Sequence, residues 1–81
     1  LAYLGTAYQA QNNLPKAQAD YLRAIQLDPK AADPHYYLGT LYEAQKKKLD
    51  AIREYEVYLK LAPTGGNAQA VKDALKGLRG K

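Results

Sequence analysis

The sequence predicts an all-α chain built from antiparallel helix-turn-helix hairpins, about five helices in 81 residues. Three observations carry that expectation. The stretch YLGTAYQAQ at residues 3–11 recurs as YLGTLYEAQ at residues 37–45, 34 positions later. Within both copies apolar residues fall at i, i+3 and i+4, which lines one face of a helix. Between the periodic segments stand Asn12-Asn13, Asp28-Pro29, Asp33-Pro34 and the tetrapeptide TGGN at residues 64–67. Each is a pattern that ends or starts helices.

Taken in order, Leu4, Ala7, Tyr8 and Gln11 set one face of a first helix, A1, which Asn12 and Asn13 end because asparagine tolerates the left-handed conformation. Pro15 then suits the first turn of helix B1, where no amide donor is needed. In B1, Ala17, Tyr21 and Ala24 form one stripe of small and large residues suited to a close helix crossing. Asp33-Pro34 reads as an N-cap followed by proline, opening helix A2 with Leu38, Leu41, Tyr42 and Gln45 on its inner face. Gly5 and Gly39 sit inside the A helices, where glycine costs about 1 kcal/mol, so a neighbour must approach too closely for a side chain. Helix B2 spans about Leu49 to Ala62, with Ala51, Ile52, Tyr55, Tyr58 and Leu59 toward the core. A fifth helix, residues 67–79, shows one apolar stripe of Ala68, Val71, Leu75 and Leu78.

A repeat of 34 residues with Leu4, Gly5, Tyr8, Ala17, Tyr21, Ala24 and Pro29 in one copy, and Leu38, Gly39, Tyr42, Ala51, Tyr55 and Pro63 in the next, resembles the tetratricopeptide repeat. The resemblance covers residues 1 to about 65. It implies one domain over residues 1–81, a TPR-like α-solenoid fragment: repeat one at 1–31, repeat two at 32–65 and a capping helix at about 67–79. Lys72 then takes the close-packing position that Gly5 and Gly39 hold, which blocks a further helix and favours the capping role. Two residues depart from the family pattern. Tyr58 stands where the family prefers a small residue, implying an end that is looser or covers its own core. Lys46 replaces the usual turn glycine, implying an altered turn.

Composition narrows the function. Apolar residues make up 47% and charged residues 25%, with a net charge of +4, which fits a folded globular domain. No apolar run approaches the roughly 20 residues of a membrane span. The absence of methionine and of a cap at Leu1 points to a piece of a longer protein. Cysteine is absent, which excludes disulfides and thiolate metal sites. Serine is absent too, the carboxylates are scattered, and His35, at the position where the family favours tryptophan, reads as a packing residue. Gly65-Gly66 lacks the basic residue and preceding strand of a phosphate loop and reads as a linker. The lysine run at residues 46–48 reads as a solvated loop. These readings leave no catalytic residues, no cofactor and no metal.

In tetratricopeptide stacks the A helices line a concave face. The resemblance therefore implies a partner-binding trough of Tyr3, Thr6, Gln9 and Ala10 from repeat one, continued by Asp33, Tyr36, Tyr37, Thr40, Glu43 and Ala44 from repeat two. Small residues at Thr6, Ala10, Thr40 and Ala44 make it shallow, and tyrosine offers a rigid ring and a hydroxyl at low entropic cost. Tyr3 and Tyr37 have the alternative of packing between adjacent A helices. Family members that clamp the acidic C-terminus of chaperones use lysine, arginine and asparagine, whereas Ala2, Thr6 and Tyr37 occupy the corresponding sites. The expected function is a non-catalytic module that binds a protein or peptide partner. Self-association as an element of a larger array is the alternative, and RNA binding stands third, resting on the net charge and the tyrosines.

Overall fold

The computed structural model describes residues 7–80. Among them residues 7–10 are the described part of helix α1, followed by α2 (Leu14–Leu27), α3 (Asp33–Ala44), α4 (Lys48–Leu61) and α5 (Ala68–Arg79), with no strand. The chain is an all-α stack of antiparallel helices in which α3 packs on both α2 and α4, and α5 packs on α4.

The two interhelical turns that lie 34 residues apart have the same geometry. Asn12 and Lys46 both sit in the left-handed region, at φ 62° and 60°. In the first turn the Asn13 N–H donates to the Tyr8 carbonyl at 2.7 Å, and in the second the Lys47 N–H donates to the Tyr42 carbonyl at 2.8 Å. The expectation of an altered turn at Lys46 is therefore corrected. Lysine adopts the conformation that glycine would adopt freely, at a cost of about 1 kcal/mol, because the hydrogen bonds that close α3 require it.

A second correction concerns the start of α3. Asp33 lies inside the helix, the N-cap is Ala32, and that cap makes no side-chain hydrogen bond. The amides of His35 and Tyr36 both donate to the Ala32 carbonyl, at 3.0 and 3.4 Å, so the first turn begins one residue early. Pro34 tolerates this because the first amides of a helix lack intrahelical acceptors anyway. The Asp33 carboxylate stays at the positive end of the helix dipole, where negative charge is favourable.

The core follows the stripes of the B helices. Ala17 and Tyr21 of α2 pack with Leu38 and Leu41 of α3. Ala51, Tyr55 and Tyr58 of α4 pack with Ala68, Val71 and Leu75 of α5. Tyr42 touches both groups and joins them. Gly39 is buried beneath the Tyr55 ring: a methyl group there would stand 2.6 Å from Tyr55 Cδ1 and nearer still to Cε1. Its partner in the other copy, Gly5, lies outside the described residues, as does Leu4. On the described end of α1, Ala7 and Gln11 are exposed and Tyr8 alone reaches the core, so that stripe is narrower than its spacing predicts.

Tyr58 does cover its own core. It is 1% exposed, and its hydroxyl accepts the Asn67 amide at 3.0 Å. The loop bends around that oxygen: a Cβ at Gly65 would lie 2.6 Å from it, so only glycine fits there. The oversized residue is accommodated by the TGGN loop, and the packing at this end is closed. On α5, Gln69, Lys72, Asp73 and Lys76 are exposed while Ala68, Val71 and Leu75 are buried, so its outward face is polar.

Candidate functional site

The predicted trough positions lie on α1 and along α3. Two of its residues, Tyr3 and Thr6, lie outside the described residues. The remaining eight fall into an exposed set and a held set. Ala10, Asp33, Glu43 and Ala44 are exposed. Gln9, Tyr36, Tyr37 and Thr40 are half-buried, and each is fixed by named contacts.

Gln9 links α1 to its neighbours. Its amide oxygen accepts the Tyr21 hydroxyl at 2.9 Å, and its Nε2 donates to Thr40 Oγ1 at 3.4 Å. Thr40 in turn donates its hydroxyl proton to the Tyr37 carbonyl at 2.7 Å, one turn back along α3. Position 40 thus shows a methyl group and an oxygen already engaged on two sides. The short side chain cannot reach further, so the surface at this predicted trough position is shallow.

The tyrosines form a chain of rings. Tyr37 stacks on Tyr21 with centroids 5.5 Å apart and planes at 23°. Tyr36 lies 5.5 Å from Tyr37, 6.3 Å from Tyr55 and 6.0 Å from Tyr58. Offset and tilted pairs at these distances are favourable, each contributing about 0.5–1.5 kcal/mol beyond burial. Tyr37 therefore packs against α2, which is a B helix, and with Tyr36 it forms a row of fixed rings; the expected packing of Tyr3 falls outside the described residues. Rings already held in place lose little freedom when a partner contacts them.

Two polar pairs were not anticipated. The Tyr55 hydroxyl is hydrogen-bonded to Glu43, the partner in repeat two of the Tyr21–Gln9 pair. Burial and then the Glu43 carboxylate hold the Tyr55 phenol well above its ordinary range. The Tyr21 phenol is pushed up to about 12, first by burial and then by Tyr37 and Asp20. The 34-residue offset contains the signal, since Gln9 aligns with Glu43 and Tyr21 with Tyr55. His35 is the second case: its Nδ1 lies 2.7 Å from Glu54 Oε1 on α4, an interhelical contact that no spacing rule reveals.

Other surface features lie elsewhere. A hollow of about 560 Å³ runs along α2 and is lined by Ala19, Leu22, Arg23, Ile25 and Gln26. Another of about 350 Å³ lies on α4 among Arg53, Glu56, Val57 and Lys60. Arg79 of α5 pairs with Glu56 at the edge of the latter. Among the described residues no group of three or more histidine and carboxylate side chains is placed to hold a metal ion, and no helix is long and apolar enough to cross a membrane.

Comparison with known proteins agrees with the helical pattern. The family model described as TPR repeat matches residues 5–46, which takes in α1, α2, α3 and the turn that follows. No curated protein matches the sequence.

Proposed function

The chain belongs to the TPR-repeat family, and from that premise we propose that it docks a segment of a partner protein in the trough along α1 and α3. TPR repeats generally mediate protein–protein interaction, and the family is generally a non-catalytic interaction module. The trough reading goes further and rests on one observation. Small exposed residues, Ala10 and Ala44, flank a wall of tyrosines whose rings are fixed by their neighbours. A preorganised aromatic surface beside small side chains suits a peptide backbone, which can approach closely and lose little entropy in doing so.

In this reading residues 1–31 and 32–65 are two repeats, and α5 closes the stack. Its buried stripe meets α4, and its polar face takes the place of a third repeat. Function is then recognition, with no bond made or broken.

A photo-crosslinking amino acid at Ala44 tests the proposal, with the same group at Lys60 on α4 as the control. In lysate of the source organism the Ala44 probe is expected to give adducts with foreign protein that the Lys60 probe does not. Adducts at Ala44 to this chain alone would remove the docking reading.

That outcome would favour a second reading, assembly with other copies, for which a separate observation speaks. Leu22 and Leu27 on α2 are 46% and 65% exposed, and Leu22 lines the larger hollow. Self-association through α2 predicts thermal stability that rises with protein concentration.

A further inference from the structure

The trough differs in charge from the chain that carries it. The chain holds twelve lysines and arginines against eight carboxylates. None of the twelve stands at a trough position, while two of the eight, Asp33 and Glu43, do. Both are exposed; Asp33 opens α3's contribution and Glu43 stands one residue before its end at Ala44. Charge of one sign on a trough within a chain of the opposite sign selects for complementary partners and against like-charged ones.

We propose that the occupant is an extended cationic segment of a partner protein, with two lysine or arginine side chains that meet Asp33 and Glu43. This rests on the docking reading above and specifies its ligand. Ten residues separate the two carboxylates along α3, a distance of about 15 Å at about 1.5 Å per helical residue. An extended chain rises about 3.3 Å per residue, so its two cations stand about four or five residues apart. The stretch between them lies over Tyr36, Tyr37 and Thr40, where small or apolar side chains fit the shallow surface. Lys46, Lys47 and Lys48 follow immediately beyond the Glu43 end, all exposed. They repel further cations there and so limit the segment's basic part to the span of α3. A polyanion such as RNA meets carboxylates in the trough and is disfavoured at this face.

Glu43 also serves as an acceptor for Tyr55, which makes a clean variant available. In the equivalent pair the neutral amide of Gln9 accepts from Tyr21, so Glu43→Gln retains an acceptor while removing the charge. Asp33→Asn does the same at the exposed helix start.

The test uses two fluorescein-labelled ten-residue peptides, one with lysine at positions 3 and 7 and one with glutamine there, titrated by fluorescence anisotropy. At low ionic strength the lysine peptide should bind the natural protein about fivefold tighter than the glutamine peptide, the combined effect of two exposed ion pairs. The preference should vanish in Asp33→Asn/Glu43→Gln, whose melting temperature should fall by only a few degrees as the favourable charge at the start of α3 is lost, and it should shrink in concentrated salt. Equal affinity of both peptides for the natural protein overturns the cationic assignment and leaves the docking reading standing. Absence of binding by the lysine peptide overturns it too. The docking reading itself fails only if the Ala44 probe returns adducts to this chain alone.

Discussion

The two hairpins of this chain repeat one geometry with different chemistry. Tyr21 rests its hydroxyl on the amide of Gln9, and Tyr55 rests its own on the carboxylate of Glu43. Asn12 and Lys46 close the two turns at nearly the same φ, although asparagine tolerates that conformation and lysine does not favour it. Ala24 in one hairpin becomes Tyr58 in the other, and the TGGN loop supplies the space. Packing and hydrogen-bond geometry are what the repeat preserves. The charge at position 43 is not part of it, because the equivalent contact forms without charge. A feature that the fold does not require, placed on an exposed face, is available for recognition.

The largest effect is expected at the tyrosine that the two hairpins share. Tyr55→Ala should cost about 3–5 kcal/mol in urea denaturation, since Tyr55 is 1% exposed and packs on Tyr36 and Gly39 of α3. Tyr21→Ala should fall in the same range if the hairpins are equivalent, and a cost below about 1 kcal/mol at either site would refute the equivalence. Gly39→Ala comes next. The better helix propensity of alanine is worth about 1 kcal/mol. Displacing the Tyr55 ring outweighs it, for a net loss of about 1–3 kcal/mol. A stabilised Gly39→Ala would mean that the ring moves aside freely.

Alkaline titration reports on the same two tyrosines. Both core phenols have pKa values raised above the ordinary 10.0, Tyr21 to about 12 and Tyr55 further in the same direction. The folded state therefore holds their protons above pH 10 while the unfolded state releases them. Stability is intact below pH 10 and falls as pH rises through 10 to 12 and beyond. Phenolate absorbance and helical circular dichroism followed together should show these tyrosines ionising as helix is lost. Phenolate formation by all eight tyrosines near pH 10 with the helices intact would contradict the burial.

The smallest effects belong to the turns. Lys46→Gly should stabilise by about 1 kcal/mol because glycine carries no penalty at positive φ, and Asn12→Gly should gain less because asparagine already tolerates it. Equal gains at both sites would mean that lysine is not strained there.

Much of the fold is legible in the sequence because helical periodicity and the 34-residue repeat are both local patterns. The stripe Ala17, Tyr21, Ala24 is buried as its spacing implies, and of the stripe Ala68, Val71, Leu75, Leu78 the first three are buried and Leu78 is half-buried. What escapes is decided by contacts across the chain. The start of α3 depends on which carbonyl takes the amides of His35 and Tyr36, and the motif Asp33-Pro34 fits either register. The accommodation of Tyr58 depends on a loop nine residues away in sequence. At the predicted trough positions, residue types reveal the small and aromatic side chains. They do not reveal that Gln9 and Thr40 are already bonded to each other, or that Tyr37 leans on Tyr21. The pairing of His35 with Glu54 is likewise purely tertiary.

The most direct measurement follows the backbone amides of the isotope-labelled protein by NMR while the lysine-bearing peptide is added. Shifts should concentrate on Tyr36, Tyr37, Thr40 and Ala44, leaving Leu22, Arg23 and Gln26 on α2 unmoved. Shifts confined to the α2 hollow, with α3 silent, would contradict docking along α3 and place the interaction surface on α2.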